Sequence, residues 1–114
     1  MATKIIKKDT VLFPELSYKI NGVIFAVHNE LGPYAREKQY GDLLEKKLQK
    51  DTIAYRRELR IGNTGNILDF LVEDTIALEL KAKQVLIRDD YRQIQHYLQE
   101  TQKQLGILVN FRGK

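Results

Sequence analysis

Apolar residues recur along this chain with two different periods, and the change of period divides it into elements. Leu16, Ile20, Val23, Val27 and Leu31 follow one another at steps of four, three, four and four, which is the stripe of an α-helix burying one face. Pro14 suits a first helical turn and Gly32-Pro33 ends the pattern, so a helix is predicted over 15–30. Tyr40, Leu43, Leu44 and Leu48 mark a second helix over 35–50, with Gly41 a mild weakness in it. After that the period drops to two. Strands are predicted over 53–61, 67–72 and 76–82, joined by the turn-forming runs 62–66 and 73–75. The helical period returns over 89–103, with Asp89 or Asp90 near its start and Lys103 near its end, as the helix dipole favours. The apolar run 105–111 reads as a last strand, and 1–13 as a basic arm or short edge element. No repeat or linker interrupts the order ααβββαβ, so 1–114 is expected to form one α/β or α+β domain.

The polar phase of the paired strands is less ordinary than the apolar one. In ILDFLVEDTIALELKAK, Leu68, Phe70 and Val72 are expected on one face, with Asp69 on the other. Ile76, Leu78 and Leu80 match them on the next strand, leaving Glu79 and Lys81 opposite. With 73–75 as the loop, Asp69 lies directly across from Glu79. Carbons of such cross-strand neighbours approach to ~4.5–5.5 Å, and like charges there repel. A divalent cation offsets that repulsion, since Mg²⁺ is held by one or two carboxylates, water and substrate phosphate. Lys81 stands roughly 7 Å further along the same face, where an amine orients an attacking water or neutralises charge developing on a phosphate. The alternative is a solvated polar face with Lys81 as an ion-pair partner.

Composition narrows the setting. A length of 114 residues allows one domain, and 43% hydrophobic with 30% charged residues is ordinary for a globular chain. The absence of cysteine excludes a disulfide scaffold and thiolate metal sites, and sits easily with a reducing cytoplasm. No apolar run approaches the ~20 residues of a membrane span, and the first residues lack a signal-peptide core, so a soluble, cytoplasmic protein is expected. The formal charge of +4 and a pI near 9.3 lean toward an anionic partner. Basic clusters at Lys4-Lys7-Lys8, Lys46-Lys47-Lys50, Arg56-Arg57-Arg60 and Lys81-Lys83 carry that lean, although 15 acids would balance them as solvated faces. His28 and His96 are each isolated in a helical pattern and read as exposed or satisfied histidines.

ILDF followed by ELKAK resembles the D…ExK core of the PD-(D/E)XK nuclease superfamily. With VHNELGPYAREKQY, Gln93 to Leu98 as QxxxYL, and the terminal GILVNF, the chain is similar over about 15–112 to the small GxxExxY proteins of that superfamily. The resemblance implies a restriction-endonuclease-like core, a mixed four-stranded β-sheet flanked by helices. It implies Mg²⁺, or Mn²⁺, bound by Asp69 and Glu79 with the backbone carbonyl of Leu80, Lys81 as the catalytic lysine, and Glu37 as a helix acid facing the metal. Gln93 and Tyr97 match the pair that supports the site and contacts nucleic acid, DNA in preference to RNA. The glycine that names the family is Tyr34 here, which adds bulk near the expected cleft and adopts positive φ only at a cost. Two functions follow: a metal-dependent phosphodiesterase, or a nuclease fold kept as a module that binds nucleic acid or a protein. A domain of this size has few elements for substrate grip, so sequence specificity would call for partners or homo-oligomerisation.

Overall fold

The structure is a computed structural model that describes residues 1–7, 14–63, 65–101 and 105–113. Its elements are β1 (Ala2–Lys7), α1 (Pro14–Leu31), α2 (Glu37–Lys50), β2 (Tyr55–Arg60), β3 (Ile67–Val72), β4 (Ile76–Lys81), α3 (Arg88–Thr101) and β5 (Leu105–Asn110). The predicted helices and strands are all present in the expected order, α+β. Lys8 and Lys103, picked out from the sequence, lie outside the described residues.

One sheet carries the fold, in the order β1-β5-β4-β3-β2. β2, β3 and β4 form an antiparallel meander, whereas β4 and β5 run parallel, connected through α3 as a parallel pair requires. Ala2–Lys7 pairs antiparallel with the remaining edge of β5 and extends the expected four-stranded mixed sheet to five strands. β5 is buried along its whole length, as a strand covered on both faces must be. Alternate side chains divide between two cores. Phe70, Val72, Ile76, Leu78, Leu80, Ile107 and Val109 pack against α1 and α2, while Leu71 and Ala77 pack with Ile94, Tyr97 and Leu98 of α3. α1 and α2 therefore cover one face and α3 the other.

The period of two fails at one level of the sheet. Phe70 and Val72 face α1 and α2, yet Leu68 belongs to the α3 core, so Leu68 does not share a face with Phe70 as the alternation predicts. β2 breaks at the same level: Arg57 lies over the Phe70 ring, while Leu59 packs on the α3 side. The cause is local. Glu58 has φ 58, a left-handed conformation rarely adopted by non-glycine residues, and it falls opposite Asp69. Arg57↔Phe70 and Leu59↔Leu68 are both paired, but Glu58 and Asp69 between them are not. The β3–β4 ladder also ends at Phe70↔Leu78, one step before Asp69 and Glu79.

A second anchor lies beyond the strand ends. Tyr40 and Phe111, both fully buried, stack with ring centres 4.0 Å apart. The Tyr40 hydroxyl donates to the Gly32 carbonyl and accepts from the Ala35 N–H, which fixes the loop between α1 and α2. The positive φ in that loop falls on Gly32 (φ 75) and not on Tyr34, so the tyrosine at the motif's glycine position brings no backbone strain.

Candidate active site

The interrupted ladders leave Asp69 at the floor of a cleft. Its walls are Glu37, Lys38 and Gly41 of α2, Arg57 and Glu58 of β2, Phe70, and Leu80 of β4, around a volume of ≈ 300 Å³. Side chains replace the missing strand partners: the Leu80 N–H donates to Asp69 Oδ2 at 2.6 Å, and the Asp69 N–H donates to Glu79 Oε1 at 2.9 Å. Each carboxylate is thus held by a backbone amide of the other's strand. A larger cleft of ≈ 500 Å³ between α1 and the end of α2 is lined by Lys19, Lys47 and Lys50 with one acid, Asp51, and holds no such pair.

Electrostatics at this level is costly. Glu79 is 2% exposed; burial, then the neighbouring Asp69 charge, pushes its carboxyl up to about 8, against the Asp69 amide and Lys81. Burial also raises Asp69, opposed by the Leu80 amide and the Lys81 charge. Both groups resist ionising together without added positive charge. The acid of Glu37 adds to the strain on each, though less than these causes.

Lys81 is steered from α3. Asp90, 7% exposed at the first turn of that helix, accepts from Lys83 Nζ at 2.8 Å, lies 4.0 Å from Lys81 Nζ, and accepts the Ile87 N–H at 2.7 Å. Burial works against its ionisation, but the Ile87 amide and the Lys83 ammonium outweigh it and hold the carboxyl below its usual range. The strand end is pinned as well. Buried Asn110 accepts from the Lys83 N–H at 3.0 Å and donates to the Lys83 carbonyl at 2.7 Å, and the Phe111 N–H donates to the Lys81 carbonyl at 2.9 Å. The asparagine and phenylalanine of the terminal NF motif therefore fix the backbone around Lys81. Asp90→Asn keeps an acceptor for Ile87 but removes the charge facing both lysines. It is expected to lower urea-measured stability by ~1–3 kcal/mol near neutral pH. A depressed acid contributes its stability above its unfolded pKa, so the gap to wild type should close as pH falls below the usual carboxylate range.

The other sequence-predicted residues divide. Glu37, exposed at the start of α2, lines the cleft with Asp69 and Leu80. Gln93 instead donates to the Ile67 carbonyl at the start of β3, tying α3 to the strand that carries Asp69. Tyr97 is 4% exposed within the α3 core, and burial raises its phenol. Gln93 and Tyr97 do not reach the cleft wall; they hold the sheet beneath it. Arg56 pairs with Asp74, and Arg57 with Asp42 and Glu45, so much of the central basic cluster is internally balanced. Gly41 is explained by this packing, because a Cβ there would meet the Arg57 guanidinium at 2.6 Å. Glu58 escaped the sequence reading, and Asp90 was noted only as a helix-start acid, not as a partner of the lysines. Neither falls within a motif, and nothing in the strand pattern announced Glu58.

Among the described residues no group of three acidic or imidazole side chains could alone enclose a metal ion. The donor set does fit a hard divalent cation held in part: two carboxylates with oxygen donors, in a place where ionisation demands positive charge. Compared with known proteins, residues 14–114 match the family model of the PD-(D/E)XK nuclease superfamily. No curated protein and no solved structure matches the chain.

Proposed function

Because this chain belongs to the PD-(D/E)XK nuclease superfamily, whose members generally depend on divalent metals, we propose that it hydrolyses phosphodiester bonds of nucleic acid, DNA foremost, with Mg²⁺ or Mn²⁺ held by Asp69 and Glu79. The nuclease-like character comes with the family; the substrate, the ion and the residue roles are our reading, as is kinship with the GxxExxY proteins. One observation carries it. Two carboxylates stand where the β3–β4 ladder ends and the β2–β3 ladder is interrupted, each bonded to the other strand's amide, with a lysine on the next alternate position.

A bound divalent cation would supply Lewis-acid polarisation of the scissile phosphate. The chain's own residues supply the rest. The Leu80 and Asp69 amides fix one oxygen of each carboxylate, so the acids present their remaining lone pairs from fixed positions. Leu80 would add its carbonyl, and Glu37 would face the same ion from across the cleft. Lys81, its ammonium drawn toward Asp90, would orient the attacking water and offset charge growing on the phosphate. Gln93 and Tyr97 would act through the sheet, keeping Asp69 in place.

The double variant Asp69→Ala with Glu79→Ala tests the metal assignment by titration calorimetry. We expect Mg²⁺ and Mn²⁺ binding to disappear, and unchanged metal affinity would remove the assignment. A nuclease fold serving only as a binding module would instead give oligonucleotide binding with a steep salt dependence and no cleavage in either ion.

A further inference from the structure

We propose that Tyr34 and Arg112 form a stacking site for an unpaired nucleobase at the mouth of the cleft, an inference that rests on the nucleic-acid reading above. Tyr34 is 82% exposed, an unusual setting for so large a ring in a loop that is otherwise tied down. Gly32 and Ala35 on either side of it are both bonded to the Tyr40 hydroxyl, so the ring is presented from a fixed backbone. The exposed Arg112 places its guanidinium carbon 5.8 Å from the ring centre. One face of the tyrosine thus meets a cation while the ring as a whole stays open to solvent. A cation behind an aromatic ring suits stacking on an electron-rich, planar ligand.

Position identifies that ligand. Tyr34 precedes Glu37 by three residues, and Glu37 lines the cleft containing Asp69. Arg112 follows Phe111, whose N–H donates to the Lys81 carbonyl and whose ring stacks on Tyr40. The pair is thus tied through the chain to Glu37 on one side and to the Lys81 backbone on the other. A strand whose phosphate meets the acids of the cleft would pass Glu37, and the base beside it is the ligand this ring would stack on. In a duplex both faces of a base are already stacked, so the ring can be used only by a base outside a helix: in a single strand, a frayed end or a flap.

The test is binding, with EDTA present so that cleavage plays no part. A single-stranded oligonucleotide carrying one fluorescent purine and a blunt duplex of the same sequence are titrated with the full chain. We expect Tyr34→Ala to weaken single-strand binding ~10-fold and abolish the stacking-induced quench, Tyr34→Phe to stay within about two-fold, and duplex affinity to be unchanged. Arg112→Ala should fall between the two tyrosine variants. Single-strand affinity that survives Tyr34→Ala, or equal losses on both forms, would overturn the stacking site and leave the proposed function standing. A wild-type chain that binds neither form would defeat the nucleic-acid reading and this site with it. Thermal melts of the variants should match wild type, because the replaced side chains are exposed.

Discussion

Glu79→Gln is expected to leave a folded protein whose metal-dependent cleavage is at least ~10³-fold slower, since a bound metal contributes several kcal/mol to transition-state stabilisation and each ~1.4 kcal/mol is a factor of ten. The same substitution should stabilise the metal-free protein at alkaline pH. Glu79 titrates near 8 when folded, above its ordinary 4.5, because burial and the Asp69 charge oppose its ionisation. A carboxyl raised in this way favours folding fully below its unfolded pKa and loses that contribution as pH rises through the folded one. Wild type without metal should therefore melt at progressively lower temperature between pH 4.5 and 8. At about 1.4 kcal/mol per pKa unit, the effect is on the order of a few kcal/mol. The neutral amide still accepts the Asp69 N–H but does not ionise, so its melting temperature should fall much less across that window, the remaining slope coming from the buried Asp69 carboxyl. Mg²⁺ should restore the wild type above pH 8 and do nothing for the variant. A variant that melts with the wild-type pH dependence would show that Glu79 is not the group responsible.

Phe111→Ala should be strongly destabilising, at ~3–5 kcal/mol by urea denaturation. Phe111 is fully buried and stacked on Tyr40, which in turn holds the α1–α2 loop and the start of α2. The total stability of a domain this size is ~5–15 kcal/mol, so much of it would be lost. The backbone N–H that donates to the Lys81 carbonyl survives the substitution. Activity per folded molecule should therefore persist in the cold and collapse on warming, in step with the unfolded fraction. A loss of cleavage with no change in the urea midpoint would contradict this packing role.

Much of the molecule was legible along the chain because its signals are local. Helical and strand periods placed α1, α2, α3 and β2 to β5, since side chains of one element share a face at fixed spacing whatever they pack against. Matching apolar phases also gave the β3–β4 register through Phe70↔Leu78, as the loop length required. The charged phase of that hairpin singled out Asp69, Glu79 and Lys81 as candidates, because acids facing one another on paired strands are an anomaly visible in the letters. Ala2–Lys7 was open between arm and edge, as its place beside β5 depends on a partner a hundred residues away.

What tertiary structure decided was how those charges are used. The sequence assumed unbroken alternation, but Glu58 turns left-handed opposite Asp69 and redirects both strands, and no propensity of glutamate announces it. The phase break brings Asp69 into the α2-side cleft with Glu37 and removes the ladder that would otherwise occupy the Asp69 and Leu80 amides. The ammonium of Lys81 is aimed by Asp90, nine residues on, and the ring of Tyr34 is backed by Arg112, 78 residues on. Composition and period fix which residues a chain buries and which it leaves polar. The pairing of charges across separate elements is a long-range contact, and it exists only once the sheet has closed.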